Sequence, residues 1–126
     1  MRPLYDRFAA AVRTCVGPEP VKTRLSTAWI EHLDAIDPVD MPGNLHQEFR
    51  KLRRAMYAAE PLPDEPAPLA AVRKMSAQQA AQYADRIVLL ASELQALCLR
   101  QQVTGETDTQ QQIPFGRGIL APERLN

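Results

Sequence analysis

The stretch SAQQAAQYADRIVLLASELQALCLRQQV, residues 76–103, contains neither proline nor glycine. Its apolar residues Ala80, Ala84, Ile87, Ala91, Leu94 and Cys98 recur at steps of four and three, the spacing of one helix face. Tyr83, Leu90 and Leu97 widen that face, while Gln82, Arg86, Glu93 and Arg100 fall on the other. Ser76 with Gln79 has the form of a capping box, in which hydroxyl and amide satisfy two free backbone donors at a helix start. Thr104-Gly105 offers a stop, because glycine accepts the left-handed conformation past a helix end. At 1.5 Å per residue the rod is about 42 Å long. A helix with so wide an apolar face needs several partner helices to cover it.

Three earlier segments supply them. Residues 3–16 carry Leu4, Phe8, Val12 and Cys15 at helical spacing, with Ala9 and Val16 beside them, and Gly17-Pro18 follows. Residues 20–36 carry Val21, Leu25, Ala28, Trp29, Leu33 and Ile36, and Asp37-Pro38 turns the chain out of helix. Residues 44–59 carry Leu45, Phe49, Leu52, Met56 and Ala59. Asn44 with Gln47 suggests a second capping box. Between Pro61 and Pro68 lie four prolines, a stiff connector, and Leu69, Val72 and Met75 fit a two-turn helix before Ser76. The expected fold is all-α: an up-down bundle of four main helices, about 3–16, 20–36, 44–59 and 76–103, forming a domain over residues 1–103. Residues 104–126 lose the periodicity and are expected to form a mobile tail. Within it, Ile113, Phe115, Ile119 and Leu120 suit a segment that orders on meeting a partner.

The chain has 126 residues, and its 15 basic and 15 acidic side chains cancel. Zero net charge gives no global attraction to nucleic acid or anionic lipid, so any such binding must come from a local patch. No run of 18 apolar residues is present, so no membrane partner is expected. Met1–Val12 is interrupted by Asp6 and Arg7 and makes a poor signal peptide. Two cysteines, Cys15 and Cys98, sit on apolar stripes, as buried thiols of a reduced, cytoplasmic protein do. They occur at opposite ends of their antiparallel helices, so no disulfide between them is expected.

Chemistry-bearing residues are sparse. Arg50, Lys51, Arg53 and Arg54 crowd one stretch of the third helix, and His46, Arg50, Arg53, Arg54 and Tyr57 share a stripe that could grip phosphates and stack a base. The competing reading is that Glu31 and Asp34, across the helix hairpin, neutralise Arg50 and Arg53. His32 and His46, with Glu31, Asp34 and Glu48 nearby, could form a site for a metal or an enzyme reaction, but their spacing matches no metal signature. No cofactor is expected. The FGRG stretch at residues 115–118 lacks the strand and helix of a phosphate loop. Trp29 reads as a core residue. Leu89 falls off its helix's apolar stripe with Val88 at the edge, an outward apolar pair that could receive another helix or a second copy. The expected function is therefore non-enzymatic protein–protein contact, as an adaptor, regulator or accessory subunit. Nucleic-acid binding through Arg50, Arg53, Arg54 and Tyr57 is the alternative, and an enzyme or metal protein using His32 and His46 the second.

Overall fold

A computed structural model describes residues 2–110, with side chains as far as Gln101. Among the described residues five α-helices follow one another: α1 (Arg2–Cys15), α2 (Val21–Ala28), α3 (Leu45–Met56), α4 (Ala67–Lys74) and α5 (Ala77–Gln110). A π turn, Trp29–Leu33, continues α2, and a 3-10 turn, Pro38–Asp40, precedes α3. No strand occurs among the described residues, and none of their helices is long and apolar enough to cross a membrane. The chain divides into two compact units, residues 1–95 and 96–126, and the last turns of α5 belong to the second. The tail residues 111–126, with the apolar beads expected to meet a partner, lie outside the described residues.

Aromatic packing organises the first unit. Phe49 of α3 stacks on Trp29, with centroids 5.5 Å apart and planes 23° from parallel. Phe8 of α1 meets the same Phe49 ring edge-on at 5.8 Å. All three are fully buried, and such pairs add about 0.5–1.5 kcal/mol each beyond the area they cover. Leu25, Leu33, Leu52, Met56, Ile87 and Leu94 are the other large side chains fully buried in the interior. The α5 face expected to be buried is buried from Ala80 to Leu94, through Ala80, Ala84, Ile87, Leu90, Ala91 and Leu94, whereas Tyr83, Leu97 and Cys98 are only partly covered, so Cys98 is not the buried thiol expected. α1 packs on α2 and on the π turn, and α4 touches both α2 and α3.

The connections explain where helices begin and end. Arg24 donates from Nη1 to the Cys15 carbonyl at 2.5 Å and from Nε to the Glu19 carbonyl at 2.6 Å, so one guanidinium caps α1 and fixes the loop to α2. Val16, expected on the buried stripe, falls beyond the end of α1 and is exposed. The Ser76–Gln79 capping box forms as expected. The Gln79 N–H donates to Ser76 Oγ at 3.0 Å, and the Ser76 N–H donates to Gln79 Oε1 at 3.2 Å. Asn44 makes no such cap; its backbone is helical (φ −76°, ψ −7°), which turns the side chain away from the first amides. The connector between α3 and α4 turns at Leu62–Glu65, where Glu65 N–H bonds to the Leu62 carbonyl at 3.0 Å. Pro63 and the left-handed Asp64 (φ 65°) occupy the central positions, the pattern of a type II turn. Glu65 then holds Arg73 of α4 through two hydrogen bonds of 3.0 Å, and Lys22 of α2 donates to the Arg73 carbonyl at 3.0 Å, capping α4.

Three boundaries differ from expectation. The second helix, expected to reach Ile36, ends with the π turn at Leu33, and Ile36 is buried beyond it. The third helix stops at Met56, so Ala59 lies beyond it, half-buried. The last helix passes through Thr104-Gly105 and continues to Gln110. Glycine permits a left-handed stop but does not impose one; inside a helix it costs only about 1 kcal/mol relative to alanine.

Candidate interaction surface

The residues singled out by sequence fall into two separate places on the first unit. The first is the junction of the π turn with the end of α3. In an α-helix a side chain five residues on is rotated about 140° away. The π turn closes over five residues instead, with the Asp34 N–H bonded to the Trp29 carbonyl at 2.8 Å, and so carries Asp34 back over Trp29. The buried indole donates to Asp34 Oδ1 at 2.9 Å, and the Tyr57 hydroxyl donates to the same oxygen at 2.5 Å. Arg53 donates to the Asp34 main-chain carbonyl at 2.8 Å, and its guanidinium lies 5.0 Å from the centre of the Tyr57 ring.

This arrangement alters the reading of the basic stripe. Asp34 does face Arg53, but the arginine takes its main-chain carbonyl, while Oδ1 of the carboxylate accepts from Trp29 and Tyr57. The hydrogen bond to Asp34, with burial and the carboxylate's charge, raises the Tyr57 pKa above its ordinary value. Arg53 and Tyr57 are thus engaged within the fold. Arg50 turns along its own helix to His46 Nε2 at 2.8 Å, and no ion pair joins it to Glu31 among the described residues. Lys51 pairs with Glu48 at 3.8 Å. Arg54 is exposed. His32 lies 3.4 Å from Thr14 Oγ1, a different neighbour from that of His46. Among the described residues no group of three or more His, Cys, Asp or Glu side chains comes together as a metal site would require.

The second place is the outer side of α5. Leu89 is 64% exposed and Val88 36%. Leu89 stands at a groove of about 420 Å³ between α3 and α5, lined by Asn44, Leu45, Glu48, Arg86, Leu90 and Glu93 besides Leu89 itself. Val88 stands at a smaller one, about 180 Å³, between α1 and α5, with Tyr5, Ala9, Val12, Ala91, Ser92 and Gln95. The apolar pair therefore forms a crest between two grooves. Sequence reasoning found Leu89 and Val88 but missed Asn44 and Glu48, which reach the groove only because α3 lies alongside. It also passed over the signal in Arg86 and Glu93, opposite charges seven residues apart on either side of Leu89.

No family model matches this chain, and no curated protein or solved structure matches it.

Proposed function

We propose that this is a non-enzymatic helical protein that acts by protein–protein contact, as an adaptor, regulator or accessory subunit, through the outer side of α5. The supporting observation is Leu89, a large apolar side chain two-thirds exposed beside an open groove with a leucine floor and charged rim. That is the composition of a contact patch: an apolar centre to be desolvated and polar groups around it. A cytoplasmic location fits the two free thiols, since oxidising compartments favour pairing.

The test is a photo-reactive amino acid placed at position 89, with position 39 as control, because Val39 is equally exposed, lies on the 3-10 turn and is not among the residues that line the groove. Irradiation in cells should yield defined protein adducts from position 89 and none from position 39. Absence of adducts at 89, or the same adducts from both positions, would overturn the reading.

A second reading rests on the exposed Arg50, Lys51 and Arg54 of α3, a cationic edge that could follow a phosphate backbone. It predicts binding to single-stranded or duplex nucleic acid that weakens steeply with salt. Arg53 and Tyr57 contribute less to it than their spacing suggested, being held by Asp34.

A further inference from the structure

On the basis of that reading, we infer that the partner at the α5 groove is a second copy of this chain, docked antiparallel so that Arg86 of each copy meets Glu93 of the other across a Leu89 contact. The pattern of charge carries the argument. Arg86, Leu89, Leu90 and Glu93 all line the same groove. Arg86 and Glu93 are two turns apart, about 10.5 Å along the helix axis. The midpoint between them falls between Leu89 and Leu90. A twofold axis at that midpoint reverses the second helix and brings each Arg86 opposite a Glu93, twice over, while the two Leu89 side chains meet at the centre. Such a contact is isologous, one patch serving both copies. A parallel, in-register pair would instead set arginine against arginine and glutamate against glutamate.

The groove suits this occupant in shape as well as charge. The incoming leucine finds Leu45 and Leu90 as the groove's apolar lining, between α3 and α5. Among the described residues neither Arg86 nor Glu93 takes part in an ion pair, so both remain available at the rim. Two turns of helix make a small interface, below the size of stable complexes, and the dimer is accordingly weak and concentration-dependent.

Sedimentation of the full chain over a wide concentration range is the test. The average mass should rise towards that of a dimer. Arg86→Glu turns both attractive pairs repulsive and should weaken association roughly tenfold. Adding Glu93→Arg to it restores opposite charges and should restore association. Both positions are exposed on a long helix, and unchanged thermal melting of the variants verifies the fold. A strict monomer at every concentration, a dimer indifferent to Arg86→Glu, or a double variant as weak as the single one would each overturn the inference. Adducts from position 89 separate this outcome from the broader reading: adducts to another protein, with no self-association, remove the dimer and leave the contact surface standing.

Discussion

The indole of Trp29 and the carboxylate of Asp34 are joined by a 2.9 Å hydrogen bond that their five-residue spacing allows because a π turn lies between them. Asp34 is consequently a structural hub, and its loss should be felt in stability. Asp34→Ala strands the N–H of a fully buried tryptophan, which costs about 1–3 kcal/mol. Asp34→Asn keeps an acceptor oxygen and should lose less. Urea unfolding, followed by the fluorescence of this single tryptophan, measures both; equal and negligible losses would contradict the hub.

The same contact sets how Tyr57 titrates. Its pKa is raised, first by the hydrogen bond to Asp34. A raised native value means the neutral phenol stabilises the fold at pH below the unfolded tyrosine value, and that contribution disappears as pH climbs through the native one. Asp34→Asn should therefore move the Tyr57 titration downwards. Ultraviolet difference titration of the two proteins checks the direction.

Glu65 works at the opposite end of the pH scale. Its side chain is only 11% exposed, and the Arg73 guanidinium, then the Leu62 N–H, lower its pKa. A depressed carboxylate stabilises the fold above its unfolded pKa and loses that contribution as pH falls through the native value. Glu65→Gln should thus lower the melting temperature near neutrality, and the gap to the unmodified protein should close in acid. A gap independent of pH would show that the ion pair contributes nothing.

Phe49 holds both of its aromatic neighbours, so Phe49→Ala should cost about 3–5 kcal/mol in denaturant unfolding. That is a large share of the roughly 5–15 kcal/mol that stabilises a typical domain.

Cys15 is buried, and burial raises its thiol pKa despite the opposing pull of Arg24. Only the thiolate attacks disulfide reagents, so Cys15 should resist labelling until the protein unfolds, whereas the half-exposed Cys98 should react in the native state. Mass spectrometry along a urea series separates the two; simultaneous modification would contradict the burial of Cys15.

The bundle was legible because its signal is repeated. Ala80, Ala84, Ile87, Ala91 and Leu94 state one period five times, and all five are buried. Single events were harder to see. The π turn is one extra residue, and Ile30-Glu31-His32 carries no mark of it, since Trp29 and Leu33 are spaced as in any helix. Asp34 reads in sequence as a free charge for an arginine, yet its carboxylate accepts from two neutral donors and the arginine takes its carbonyl. Asn44 has the right residue type for a cap in the wrong backbone conformation. At the candidate surface, Leu89 betrayed itself by leaving the stripe. The groove beside it did not, because it depends on where α3 lies, and local periodicity holds no information about that.

The widened turn after Ala28 amounts to spare length. Trimming Ile30 would convert five-residue closure into ordinary four-residue closure, with Asp34 arriving one step sooner yet still above Trp29. Shortening α3 or α5 by one residue has no such slack to absorb it and would rotate everything downstream by about 100°. This fold should therefore tolerate a one-codon loss at Ile30 far better than within its straight helices.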